Sequence, residues 1–238
     1  MPTDDPLRPD RARGVGGRLA APPLFAPGVI RGRPVSGRAP RLSGPLLEAA
    51  LTAGAMSAGA DCYAVGVLPT PGIALITRRL EAHGGIVLSA SHNPFEDNGI
   101  KIFSSEGTKL PDAWEAEVEQ RLGGPDAAPR AHGALIGKLV SFDRAESEYA
   151  DFLCACFPLD LHGLTIALDC AHGAAYRVAP RVFRRLGARV LSVGVRPDGI
   201  NINAGCGALH PENLQKKVRA SGASIGFAFD GDGDRLIS

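Results

Sequence analysis

Near its end the chain passes from a short apolar run, Ile225-Gly226-Phe227-Ala228-Phe229, directly into Asp230-Gly231-Asp232-Gly233-Asp234-Arg235. The first stretch predicts a buried strand, and the second a loop at that strand's C-terminal end, where open α/β sheets bind their ligands. Alternate side chains of an extended segment share a side, so Asp230, Asp232 and Asp234 converge, while Gly231 and Gly233 let the backbone turn. Three carboxylates that close repel one another unless a cation lies between them. Hard oxygen donors select Mg²⁺ or Ca²⁺ over zinc. An acidic run is ordinarily a solvated loop, and an EF-hand is excluded because Arg235 stands where its sixth-position glycine belongs. The preceding strand and the following cation favour a metal site serving an anionic substrate.

A chain of 238 residues is long enough for one large or two ordinary domains. Its charged fraction of 21% and net charge of +1 give no electrostatic reason to expect nucleic acid or a membrane as partner. Five scattered cysteines, an odd number, argue against a disulfide framework and for a reducing, cytoplasmic setting. Cys154 and Cys156, one residue apart on a predicted helix, cannot face one ligand and read as packing residues. No secretory signal or membrane span is read: the apolar stretch from Cys62 to Ile76 is broken by Pro69 and Pro71.

Residues 1–40, rich in Pro, Gly and Arg, read as a disordered or divergent segment. From Arg41 the pattern is α/β. A helix follows Ser43 as N-cap, carrying Leu46, Leu47, Ala50, Leu51 and Ala55 to a stop at Gly59. A strand over Cys62–Leu68, a helix over Ile73–Leu80 and a strand over Gly85–Ala90 make a β-α-β unit. Ile100–Phe103 alternates as a strand, with Lys101 opposite Ile100 and Ile102. Trp114–Leu122 reads as a helix and Gly123–Gly133 as a linker. A second unit follows: a helix over Asp143–Cys156, a strand over Leu164–Asp169, a helix over Ala174–Leu186, a strand over Ala188–Val193, and a helix over Glu212–Ala220. The strand carrying the acidic loop closes it. The expected domains span 41–130 and 140–238.

The strand ending at Ala90 runs into Ser91-His92-Asn93-Pro94, at the same kind of position as the acidic loop. Ser, Asn and Pro favour turns for backbone reasons alone, and a lone His is most often a surface residue. Two loops at strand ends can nevertheless share one cleft.

Taken together, Ser89-Ala90-Ser91-His92-Asn93-Pro94, Asp97-Asn98-Gly99-Ile100-Lys101, Gly107-Thr108-Lys109-Leu110, Asn201-Ile202-Asn203, Cys206-Gly207, His210-Pro211-Glu212 and the acidic loop resemble the α-D-phosphohexomutase superfamily. The resemblance is greatest to its bacterial phosphoglucosamine mutase branch and runs from Arg41 to the end. It implies two consecutive three-layer α/β/α domains with mostly parallel sheets, the first incomplete. It further implies that Ser91 is carried as a phosphoserine that phosphorylates a hexosamine phosphate through a 1,6-bisphosphate, supplying UDP-N-acetylglucosamine for the cell wall. By resemblance, Ser91, His92, Lys101 and Arg31 are the catalytic candidates. Mg²⁺ would be held by Ser91, Asp230, Asp232 and Asp234, and Asn93, Arg235 and His210 would meet substrate or phosphate. A phosphoserine adds close to two charges to the three of the aspartates, so cations are needed beside one Mg²⁺. Arg235, Lys101 and protonated His92 are candidates. Lys101 reads either as a proton-transfer group with a lowered pKa or as simple charge balance.

Departures from the family pattern set further expectations. Only Phe25, Ile30, Arg31 and Gly32 match the family's N-terminal signature, and the helix and strand expected before Arg41 are missing, so the first sheet should lack an edge. The family's Gly-Ser-Thr is here Gly207-Ala208-Leu209. The family's third and fourth domains, which select the sugar and bind its phosphate, are not in these residues, so the expectation is a truncated mutase without turnover. Phosphomannomutase or phosphoglucomutase, and a non-catalytic Mg²⁺-binding protein, stay open as alternatives.

Overall fold

The computed structural model describes residues 32–111, 113, 116, 120 and 130–238. Arg31, the linker residues up to Pro129 and most of the helix expected over Trp114–Leu122 lie outside the described residues. Two sheets with helices on their faces organise the rest, as expected from the alternation of patterns.

The first sheet has the order β4-β3-β1-β2-β5, with β1 Pro34–Arg38, β2 Cys62–Val67, β3 Gly84–Leu88, β4 Ile100–Ser104 and β5 Leu139–Ser141. All its pairings are parallel except β3 with β4. Helices α1 (Gly44–Ser57) and α2 (Thr70–Arg79) cover its two faces. On α1, Leu47, Leu51 and Ala55 recur at helical spacing and bury against Cys62, Ile86, Leu88 and Ile102. Ser43 does stand at its N-cap, but without a side-chain cap; its hydroxyl instead accepts a hydrogen bond from the Asn98 amide at 3.0 Å.

Strand β1 overturns the reading of residues 34–38 as loop. Pro34-Val35-Ser36-Gly37-Arg38 shows no period because it is the central strand, covered on both sides, and close helix packing leaves room only for small residues. A Cβ on Gly37 would lie 2.6 Å from Ile73 Cδ1 and 2.7 Å from Val65 Cγ2. The strands of the expected β-α-β unit, β2 and β3, therefore flank β1 rather than touch. Strand β5 was also unread: its three residues are exposed and too few to show a pattern, yet they pair with β2. The first sheet thus continues beyond residue 130, to Ser141.

The second sheet has the order β7-β6-β8-β9, with β6 Thr165–Asp169, β7 Arg189–Val193, β8 Ile225–Phe229 and a short antiparallel β9 Leu236–Ile237. Helix α3 (Ala145–Cys156) and helix α4 (Val178–Arg185) lie towards the first unit, while α5 (Glu212–Ser221) covers the other face through Leu214 and Val218. One apolar cluster unites the two units: Val35, Val65, Ile73 and Ile76 of the first pack with Tyr149 of α3 and Val178 and Val182 of α4. All five cysteines are free. Cys154 touches the shared cluster, but Cys156 is exposed at the end of α3, contrary to its reading as a packing residue.

In each sheet the strand order reverses between two neighbours, β1 and β3 in the first, β6 and β8 in the second. The serine loop leaves β3 and the acidic loop leaves β8, so both stand at the crevices where open α/β sheets bind ligands.

Candidate active site

Ser91 follows β3 in a left-handed conformation, φ +50°, unusual for a residue with a Cβ. The residue is 8% exposed, and its hydroxyl donates to Asp230 Oδ2 at 2.6 Å, across 139 positions of sequence. The acidic loop is fixed by its own backbone: Asp230 Oδ1 accepts the amides of Asp234 (3.2 Å) and Arg235 (3.1 Å). Asp232 Oδ2 accepts from Lys101 Nζ at 2.6 Å and from Thr70 Oγ1 at 2.8 Å, and Lys101 reaches Asp234 Oδ2 at 3.1 Å. Asp232 Oδ1 is buried with no partner among the described residues. One oxygen from each of the three aspartates lies within 4.8 Å of the others. A hard divalent cation fits this set: the donors are all oxygen, they converge, and an unpaired buried carboxylate oxygen is costly until something positive meets it.

The first unit's loop is held by Arg41, which is 1% exposed. Its Nη1 donates to the carbonyls of Pro94 and Asp97, and its Nη2 to those of Ser91 (2.9 Å) and Asn93 (3.0 Å). Asn203 Nδ2 donates to the same Ser91 and Asn93 carbonyls, at 3.0 and 2.9 Å. Behind them Asp169, fully buried at the end of β6, accepts the amides of Ala171 and Gly207, both at 2.9 Å.

Two family models match this arrangement in order: the α/β/α domain I of phosphoglucomutase/phosphomannomutase over residues 33–127 and domain II over 147–238. The chain belongs to the phosphohexomutase family. Within that family it is 55% identical over 179 residues to a phosphoglucosamine mutase of Azoarcus sp., covering 74% of this chain and 39% of that protein. It is 49% identical over 235 residues to one of Geotalea daltonii, covering 98% and 51%. A solved phosphoglucomutase/phosphomannomutase family protein from Burkholderia thailandensis superposes with a TM-score of 0.75 at 31% identity, over 98% of this chain and 51% of that one. The chain spans about half the length of the curated relatives it matches.

The electrostatics of the two loops follow from burial and pairing. Burial pushes the Asp230 carboxyl up, against the hydrogen bond from Ser91, and the neighbouring Asp232 charge adds to the rise. Burial would raise Asp232 too, but the hydrogen bond and charge of Lys101, with the Thr70 hydroxyl, outweigh it and hold Asp232 low. For Lys101 burial acts downward, and the two carboxylates overcome it, so its pKa is raised. Lys101 sits between the Asp232 and Asp234 carboxylates, the place either a charge-balancing or a proton-transferring lysine would take. Burial brings Arg41 down to about 10, partly offset by Asp232 and Asp97, and it stays charged at neutral pH.

Not every expected residue meets the acidic loop. Ser91 and Lys101 do. His92 is half-buried, with Nδ1 unpartnered among the described residues. The Asn93 side chain donates to Asp97 Oδ2 at 3.1 Å, within its own loop. Arg235 is exposed, its Nε 3.9 Å from Asp234, and His210 is exposed just before α5. Arg41, Thr70, Asp169 and Asn203 carried no assigned role in the sequence. Arg41 read as the lead into a helix and Thr70 as a loop residue between two prolines; a buried clamp leaves no periodic trace. The available signals were that Asn203 falls inside one of the ordered motifs and that the family resemblance begins at Arg41.

Proposed function

We propose that this chain carries the phosphoryl-transfer centre of a phosphoglucosamine mutase, with Ser91 as the group that bears the phosphoryl. The observation that supports it is the 2.6 Å contact between the Ser91 hydroxyl and Asp230, inside an acidic triplet with a free oxygen on Asp232. The names of the relatives near 50% identity supply the choice of sugar. As phosphoserine, residue 91 would lose its phosphoryl to the free hydroxyl of a glucosamine phosphate, leaving a 1,6-bisphosphate and the serine hydroxyl. The bisphosphate, turned over, would return its other phosphoryl to the serine. The sugar hydroxyl loses its proton as the new P–O bond forms, and the serine oxygen, keeping the electron pair of the P–O bond that breaks, takes up one proton to end as a hydroxyl, so that no net proton is released.

Asp230, Asp232, Asp234 and the Ser91 oxygen would hold Mg²⁺, whose chemistry there is to neutralise the transferring phosphoryl group. Lys101 keeps Asp232 and Asp234 together and supplies a further positive charge. Arg41 fixes the serine loop through that loop's own carbonyls, and Thr70, by its hydroxyl and its backbone amide, ties the first unit to Asp232 of the acidic loop. A cytoplasmic role in amino-sugar metabolism accords with five free cysteines and with the fact that, among the described residues, no helix is long and apolar enough to cross a membrane.

The test is intact-mass analysis of the purified chain after incubation with glucose 1,6-bisphosphate and Mg²⁺. One added phosphoryl group in the wild type and none in Ser91→Ala is expected. A wild type that takes none, or a Ser91→Ala that takes one, would contradict the assignment.

A further inference from the structure

Why does a serine with a Cβ keep a left-handed backbone at this point? Ser91 at φ +50° is disfavoured on its own, so its surroundings must over-determine it. Its carbonyl and that of Asn93 point the same way and take four hydrogen bonds between them, two from Arg41 and two from Asn203. The two donors differ in origin. Arg41 follows β1 and belongs to the same unit as the serine loop, so it can shape that loop whether or not the second unit is seated. Asn203 comes from the second unit and reports on its seating.

Asn203 is itself well anchored. Its backbone is left-handed, φ +59°, and its amide donates to the Ala171 carbonyl at 2.9 Å. Ala171, at φ +54°, is in turn held by Asp169. The Asn203 nitrogen, not its oxygen, must face the serine loop, since both atoms it meets are carbonyl oxygens. The acidic loop closes on the same pair: a Cβ on Gly231 would run into the Ser91 carbonyl and come within 2.7 Å of Asn203 Nδ2. One side chain therefore touches the serine loop and borders the metal loop.

We propose that Asn203 is a positioning residue for Ser91, a latch by which the second unit sets the serine loop in the shape that presents its hydroxyl to the acidic triplet. This rests on the reading of Ser91 as the phosphoryl carrier. Asn203 donates two hydrogen bonds, one to the Ser91 carbonyl and one to the Asn93 carbonyl, so losing them slows phosphorylation of Ser91 by roughly tenfold, the scale of two neutral hydrogen bonds weakened by solvent replacement.

The test uses the full chain with Asn203→Gly and Asn203→Asp, both of which accept φ above zero. Glycine removes the donor without backbone strain; aspartate keeps the shape and turns an anionic oxygen on two carbonyls. Glucose 1,6-bisphosphate with Mg²⁺ is the phosphoryl source, read by intact mass, with Mg²⁺ affinity by calorimetry and amide exchange of the peptide from Ser89 to Asn98 alongside. Expected are slower phosphorylation in Asn203→Gly, slower still in Asn203→Asp, faster exchange in the serine loop, and Mg²⁺ affinity as in the wild type. Wild-type rates and exchange in Asn203→Asp would overturn the latch, because only the backbone shape would then matter, and so would a parallel loss of Mg²⁺ affinity. If the wild type takes no phosphoryl group, the carrier reading fails by itself. Exchange then decides: faster in both variants sustains the latch, unchanged in either refutes it.

Discussion

At the scale of single residues, the site is a matter of which oxygen is left free. Thr70 and Lys101 both occupy Asp232 Oδ2, and this leaves Oδ1 for a cation. Thr70→Val keeps the shape and removes that hydroxyl, and Mg²⁺ affinity measured by calorimetry should fall about tenfold, in the range of losses seen when a ligand's outer partner is removed; Thr70→Ser should retain it. Arg41 answers four carbonyls with one planar fork. An ammonium cannot, so Arg41→Lys should lower the urea-unfolding free energy by about 3 kcal/mol, the cost of two or so buried acceptors left unmet. The sequence displayed the residues that form the chemistry, because Asp and Ser at strand ends are conspicuous. It hid those that hold them: a clamp acts through backbone carbonyls, and any residue offers those. It gave no sign that the Asn93 amide bonds within its own loop, to Asp97.

At the scale of elements, apolar patterning revealed what is rich in large apolar residues, the fully covered β3 included, and missed β1, built mostly of small residues, and the brief β5 and β9. Helix α1 shows Leu47, Leu51 and Ala55 on one stripe, and β8 shows its aromatic run. Strand β1 shows a single Val between a proline, a serine and a glycine, because close helix packing leaves room only for small residues. Strand β9, two residues long, depends entirely on β8 for its definition. The close packing that makes β1 unreadable makes it sensitive. Gly37→Ala puts a methyl into Ile73 and Val65 and should cost about 1–3 kcal/mol in denaturant unfolding, the scale of overpacking a dense core. Equal stability would mean that α2 can withdraw from the sheet without penalty.

For the whole molecule, the shared cluster around Ile73, Tyr149 and Val182 ties the two sheets together, and it is what brings Ser91 to Asp230. Calorimetry should accordingly show one cooperative transition rather than two. Several buried groups in these cores stay protonated in the fold. Burial raises Cys62 and Cys206 from 9.0 to about 11, Cys170 from 9.0 to about 12, and Tyr149 from 10.0 to about 12. A group raised in the folded state gives stability that is complete below its unfolded pKa and is lost as pH climbs to the folded value. Unfolding free energy should therefore hold up to about pH 9 and then fall towards pH 12, by about 1.4 kcal/mol per pH unit for each group in its window. A flat profile from pH 9 to 11 would show that the thiols are reached by water.

The most direct measurement is anomalous diffraction from crystals of the chain soaked in Mn²⁺, a hard cation of the same charge as Mg²⁺. One strong peak is expected, coordinated by Asp230, Asp232 and Asp234 and touching the Ser91 oxygen. No peak at the acidic loop, or one that Ser91 does not reach, would contradict a shared site for the serine and the metal.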